Sequence, residues 1–238
     1  VIRQVYKPTD RPKTCHFCDC RDLCNALNIN SFNNDRMLTE VKSIVVNVKK
    51  GDALYAINRT LTTLYSVRAG SFKLVNSHEH IIDFCLQGDA LGFDGIETSY
   101  HQLNAIALED STVCGFDYHS FVQTISINTI SNLDFLQLMS KKMNAITHLI
   151  DASYEAHIKL AQFIYRLSYH QKRCGYSNKS FTLPMKHLEI ANHLNLSIET
   201  VSRAFKTLAK DEIVQAKHKD ITILDMPKLK TLVLGCKL

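Results

Sequence analysis

The sequence predicts an α+β chain: an N-terminal antiparallel β-roll of jelly-roll character, one long helix, and a C-terminal winged helix-turn-helix. Three observations carry this expectation. Between residues 37 and 121, short apolar runs alternate with turn residues. Residues 132–169 contain neither Gly nor Pro and place apolar side chains at alternating three- and four-residue steps. From 187 to 206, two amphipathic helical stretches flank a short turn. The expected division is a Cys-rich arm at 1–30, the roll at 31–125, the long helix at 126–169 and the winged domain at 170–238.

The arm holds four of the chain's 8 cysteines (Cys15, Cys18, Cys20, Cys24) and two of its 4 prolines, so it is expected to be irregular unless something staples it. No run approaches the roughly 20 apolar residues a membrane helix needs, and no signal-peptide core opens the chain. A cytoplasmic protein with no membrane partner is the expectation. In that reducing compartment, crowded cysteines suggest metal or redox chemistry rather than disulfides.

Expected strands of the roll include Ser43–Val48, Leu64–Val67, Ser71–Val75 and His80–Phe84, with turns at Lys50-Gly51-Asp52, Ala69-Gly70-Ser71 and Gln87-Gly88-Asp89. Glycine admits the positive φ that tight hairpins demand. The 11 histidines suggest no metal site, because His78 and His80 fall at a hairpin tip where exposure explains them. Cys85, Cys174 and Cys236 read as small buried hydrophobes.

Along the long helix a seam runs through Leu136, Met139, Met143, Ile146, Ile150, Ser153, His157, Leu160, Ile164 and Leu167. Such a seam suits a helix lying along its copy in a homodimer, or else one core face within a single chain. Ser153 and His157 interrupt it, so any dimer is expected to be adjustable.

In the last segment, Ile190, Ala191 and Leu194 form the buried face of a first helix, Asn195 takes the tight turn and Ser197 caps a second helix. Ile198, Val201, Phe205 and Leu208 share the inner face of that helix, leaving Glu199, Ser202, Arg203 and Lys206 outside. Arg can grip guanine in a major groove, and Glu can accept from a cytosine amino group. Downstream, 213–216 and 221–223 flank a basic tip, Lys217-His218-Lys219-Asp220, that reads as a wing. Charge separates accordingly: residues 159–238 carry 14 Lys and Arg against 6 Asp and Glu, whereas 1–158 carry 14 against 17. The basic third suits a polyanion, or is a solvated face. No dinucleotide-binding glycine motif and no nucleophile–base arrangement suggests an enzyme.

Roll, long helix and winged helix-turn-helix in this order resemble the cyclic-AMP receptor/fumarate-nitrate-reduction regulator (Crp/FNR) superfamily. The recognition string Ile198-Glu199-Thr200-Val201-Ser202-Arg203 and the string Phe163–Ser168 are similar to those of the FNR-type, oxygen-sensing branch. The resemblance implies a homodimeric transcription regulator that binds palindromic double-stranded DNA and meets RNA polymerase. Glu199 and Arg203 would read the shared G·C core of a half-site, and Ser202 would favour a TTGAT-like sequence.

Cys15, Cys18 and Cys24, spaced Cys-x2-Cys-x5-Cys, resemble the branch's N-terminal cluster motif. Cys114, at the end of Ala107-Leu108-Glu109-Asp110-Ser111-Thr112-Val113-Cys114, resembles its distant fourth ligand. Those four thiolates would hold a [4Fe–4S] cluster. The alternative is a superfamily regulator with another effector that is not a cyclic nucleotide, or with structural zinc, for which Cys15, Cys18, Cys20 and Cys24 could form a local site. Cyclic-nucleotide binders of the superfamily carry a Gly-Glu pair followed by Arg-Ser or Arg-Thr. This chain reads Gly92-Phe93-Asp94-Gly95 and has no arginine between Arg68 and Arg166, so cyclic nucleotide is not expected as effector.

Overall fold

The computed structural model describes residues 43–127, 133, 135–140, 143 and 154–235. The expected arm with Cys15, Cys18, Cys20 and Cys24 lies outside the described residues, as do Ile146, Ile150 and Cys236. Two compact units divide the chain, 1–145 and 146–238.

Among the described residues of the first unit, eight strands divide between two sheets. They are β1 (Ser43–Val48), β2 (Ala53–Tyr55), β3 (Thr63–Ala69), β4 (Phe72–Val75), β5 (Ile81–Cys85), β6 (Ala90–Leu91), β7 (Asn104–Ala107) and β8 (Ser111–Asp117). One sheet runs β1-β8-β3-β6 and the other β2-β7-β4-β5, with every described pairing antiparallel. Their facing sides bury Val67, Phe72, Cys85, Ala105 and Val113 in one apolar layer. Fully burying a Val or Phe side chain contributes about 1.5–3 kcal/mol, so Val67, Phe72 and Val113 supply much of that layer's cohesion. Gly51, Gly70 and Gly88 each take positive φ at the three expected turns.

The opposite, outer side of the first sheet carries a second cluster of Leu61, Leu64, Ala90 and Phe116. It is covered by Phe121 of α1 (Tyr118–Ile127) and by Leu138 from the helical residues 135–140.

The Gly70-Ser71 corner is stitched to β8 by the residues of the 107–114 string. Ser71 N donates to Ser111 Oγ at 3.2 Å, Ser71 Oγ to Glu109 Oε1 at 2.6 Å, and Ser111 Oγ to Glu109 O at 2.8 Å. The Glu and Ser of that string are therefore structural, fixing where β8 begins.

Asp94 knits the 92–103 segment onto β2. Tyr55 Oη donates to its Oδ1 at 3.1 Å, and the amides of Gln102 and Leu103 donate to Oδ2 at 2.9 and 3.0 Å. His101 Nδ1 stands 3.5 Å from Oδ2 while its ring stacks on Tyr55 at 3.8 Å. Burial raises the Asp94 carboxyl pKa, but His101 and the two amides outweigh it and hold the group below its usual range. Burial, with the Asp94 charge, pushes the Tyr55 phenol well above its ordinary value. Because the folded Asp94 pKa is depressed, its stabilisation is present at neutral pH and is lost as pH falls below about 4. Asp94→Asn should lower stability at pH 7 and reduce its decline on acidification, which thermal melts across pH 3–7 check.

The second unit comprises α2 (Ala156–Arg173), β9 (Ser180–Thr182), α3 (His187–His193), α4 (Ile198–Lys210), β10 (Val214–Lys217), β11 (Asp220–Ile223) and α5 (Met226–Leu234). It corrects the expected continuous helix over 132–169. Glu155 is extended (φ −63°, ψ 152°), and α2 starts anew at Ala156. The break falls between Ser153 and His157, the two polar places in the seam, and the apolar spacing of the sequence runs on across it. Leu160, expected in the dimer seam, is 0% exposed, buried with Ala161, Phe163, Ile164 and Leu167 in a helix that packs on α4 and α5. His157 sits in α2's first turn, its Nδ1 3.3 Å from Glu155 Oε2. The winged unit thus takes in all of α2 rather than starting at 170. The described residues also continue past the expected terminal hairpin into helix α5, with Asp225 Oδ1 accepting from the Lys228 amide at 2.9 Å as its cap.

Candidate nucleic-acid interface and sensory cysteine

Helices α3 and α4 are set by a short chain of local contacts. Glu189 reaches back to accept from the Lys186 amide at 2.8 Å, tying down the start of α3. Ile190, Ala191 and Leu194 are buried, and the small Ala191 carbonyl accepts from Leu196 N at 2.9 Å as the chain turns. Asn195 adopts φ 54°, the left-handed turn conformation its side chain tolerates. Ser197 Oγ then accepts from Thr200 N at 3.1 Å and opens α4.

Val201, Ala204, Phe205 and Leu208 are buried, and Phe205 stacks on His187 with ring centroids 4.9 Å apart. Ile198, expected on this inner face, is 43% exposed, because the first turn of α4 projects beyond the core. Glu199, Ser202, Arg203 and Lys206 are all exposed along the outer face. The Glu199 carboxyl is held below its usual range by its own backbone amide, the Ser197 hydroxyl and the charge of Arg203. It therefore stays an ionised acceptor at neutral pH, one turn from the forked donor of Arg203. That face offers both hydrogen-bond donors and acceptors.

Strands β10 and β11 pair from Val214↔Ile223 to Lys217↔Asp220, with His218 at φ 56° in the turn. A third strand, β9, joins the other edge of β11. Sequence reasoning missed it, since three residues of Ser-Phe-Thr are too few to show alternation. Lys219, grouped by sequence with the basic tip, instead donates from Nζ to the Pro184 carbonyl at 2.9 Å. Lys217 and His218 are exposed on the wing.

In the first unit, Cys114 is half-buried on β8, opposite Val45 on one side and Ser66 on the other. Its side chain belongs to the outer-face cluster, together with Phe135, Leu138 and Met139 of the following helical segment. Cys114 is not disulfide-bonded. Among the described residues no group of three or more His, Cys, Asp or Glu side chains converges. A second feature that the sequence did not show lies beside it. Ser66 is 0% exposed and its hydroxyl has no hydrogen-bond partner among the described residues.

A model of the cyclic nucleotide-binding domain matches residues 45–128, and a Crp-like helix-turn-helix domain matches 158–232. The fumarate and nitrate reduction regulatory protein of Vibrio cholerae is 31% identical over 224 residues, covering 92% of this chain and 89% of that one. The chain belongs to the Crp/FNR family of transcription regulators. Within the family it falls in the FNR-type branch, since the fumarate and nitrate reduction regulatory protein of Yersinia pestis is also 31% identical over 88% of this chain and 86% of its own. The solved structure of FixK2 from Bradyrhizobium japonicum shares the fold of this Crp/FNR chain. Its TM-score is 0.70 at 22% identity, over 80% of this chain and 96% of that one. As a Crp/FNR regulator the protein binds DNA through its helix-turn-helix and is not an enzyme. No described helix is long and apolar enough to cross a membrane.

Proposed function

We propose that this Crp/FNR chain is an oxygen- or redox-responsive regulator whose homodimer binds a TTGAT-like palindrome when a [4Fe–4S] cluster is held by Cys15, Cys18, Cys24 and Cys114. The observation that carries this reading is the position of Cys114. Its sulfur shares one apolar cluster with Leu138 and Met139, so a group bound there bears on the helix that follows the roll. When bound, the cluster supplies an oxygen-labile redox centre, and its thiolate ligands staple the arm to the roll.

The helix is suited to carry the signal to a partner copy. Leu136 and Met143, one heptad apart, are 59% and 69% exposed, and Leu133 joins them on that face. Regulators of this family bind DNA as dimers. The dimer seam proposed here is Leu136, Met139, Met143, Ile146 and Ile150.

Effectors other than cyclic nucleotides are favoured because the carboxylate of the Gly92–Gly95 segment is already engaged by Tyr55 and two backbone amides. Glu199, Ser202 and Arg203 would read bases. Contact with RNA polymerase in the cytoplasm rests on family resemblance.

The test compares Cys114→Ser with Cys20→Ser after anaerobic loading with iron and sulfide. Cys114→Ser should lose most bound iron and, with it, dimerisation and operator affinity, because a hydroxyl is a harder and weaker ligand than a thiolate. Cys20→Ser should keep all three. Full iron in Cys114→Ser with loss in Cys20→Ser would place the metal in the arm alone, as a zinc-like four-cysteine site would.

A further inference from the structure

Ser66 has no task in the apolar cluster where it sits. It lies on the central strand β3, paired with Cys114 of β8 on one side and Ala90 of β6 on the other. Directly opposed residues on antiparallel strands project to the same face, with Cβ atoms about 4.5–5.5 Å apart. The Ser66 hydroxyl and the Cys114 sulfur therefore share the outer face, amid Leu64, Ala90 and Phe116. The hydroxyl is fully buried and without a partner among the described residues. Buried polar atoms are nearly always satisfied, so an orphan beside a metal-ligand candidate points to a group that arrives later.

A neutral thiol is a weak acceptor, whereas a thiolate is a strong one. We propose that the Ser66 hydroxyl donates a hydrogen bond to the Cys114 thiolate once that sulfur ligates the cluster. Ser66 is then a positioning residue that tunes the cluster from the roll side. This inference rests on the cluster reading above and adds to it a donor from the roll's outer face. Hydrogen bonds to ligand sulfur stabilise the more reduced, more negative cluster and raise its potential. Ser66→Ala puts a hydrogen in place of the hydroxyl, removing that effect and leaving a void no larger than one oxygen atom.

The experiment uses the full chain, loaded anaerobically with iron and sulfide, as parent, Ser66→Ala and Ser66→Thr. The midpoint potential should move to more negative values in Ser66→Ala and return toward the parent in Ser66→Thr. Iron–sulfur stretching bands should shift on transfer to heavy water in the parent, and shift less in Ser66→Ala. The iron-free Ser66→Ala chain should melt at or above the parent, since the orphan hydroxyl is gone. Equal potentials and equal deuterium shifts in iron-loaded parent and Ser66→Ala would overturn the role of Ser66 while leaving the cluster in place. A parent that takes up no iron would overturn the cluster reading, and this inference with it. An iron-free Ser66→Ala chain that melts far below the parent would show that the hydroxyl already serves the fold, which also overturns it.

Discussion

Replacing Arg203 with alanine should cost about 1–3 kcal/mol of affinity for a TTGAT-type palindrome at fixed salt and relax discrimination at the contacted guanine. Arg203 is exposed on α4, while the helix is held by Val201, Ala204, Phe205 and Leu208 beneath it. The substitution therefore removes a reader without loosening its platform, and the melting temperature should stay within a degree or two of the parent. Lys217→Ala in the wing should weaken all sequences alike and reduce the salt slope by roughly 1, the signature of a phosphate contact. Lys219→Ala should not mimic it, because that ammonium already donates to the Pro184 carbonyl. Binding titrations on specific and scrambled duplexes at several salt concentrations separate the three. Unchanged specific affinity in Arg203→Ala would mean that α4 does not read the bases.

Gly70→Ala should destabilise the roll by about 2–4 kcal/mol. The residue sits at φ +88°, and an added Cβ would lie 2.8 Å from the backbone Cα of Ser111. Strain and collision thus fall on one methyl group, and the backbone it meets cannot rotate away. Gly51 is the internal control, with a similar φ of +85° but nothing within 4 Å of an added Cβ. Gly51→Ala should lose only about 1–2 kcal/mol, the conformational part alone. Thermal unfolding of the two variants decides this, and equal losses would show that the approach to Ser111 does not matter. Since Ser111 starts the strand that bears Cys114, Gly70→Ala should also lower anaerobic iron retention.

The parts legible in the sequence are those with a local physical signature. The helix-turn-helix could be read because Asn195, Ser197 and the buried face of α4 each obey a short-range rule. The roll's turns could be read from glycines that must take positive φ. What failed had no local mark. The break at Glu155 carries neither Gly nor Pro, and the apolar phase runs through it, so a helix buried in the winged unit looked like the continuation of a dimer seam. Lys219 looked like its basic neighbours until a carbonyl 35 residues away claimed it. The isolation of Ser66 depends on which strands flank it, and strand order is a property of the whole sheet.

The wing's construction also bears on how a complex would form. Strand β11 is held on both edges, and the wing turn is pinned by Leu183 N to Lys219 O at 2.8 Å and Thr182 Oγ1 to Asp220 Oδ1 at 2.6 Å. A tip so anchored has little freedom left to surrender when it meets a duplex. Immobilising a loose, rotamer-rich side chain on binding costs about 0.5–1.5 kcal/mol, and here much of the ordering is done during folding. The wing should therefore register as a nearly constant contribution to affinity, insensitive to sequence, while differences between operators are left to Glu199, Ser202 and Arg203 on the face of α4.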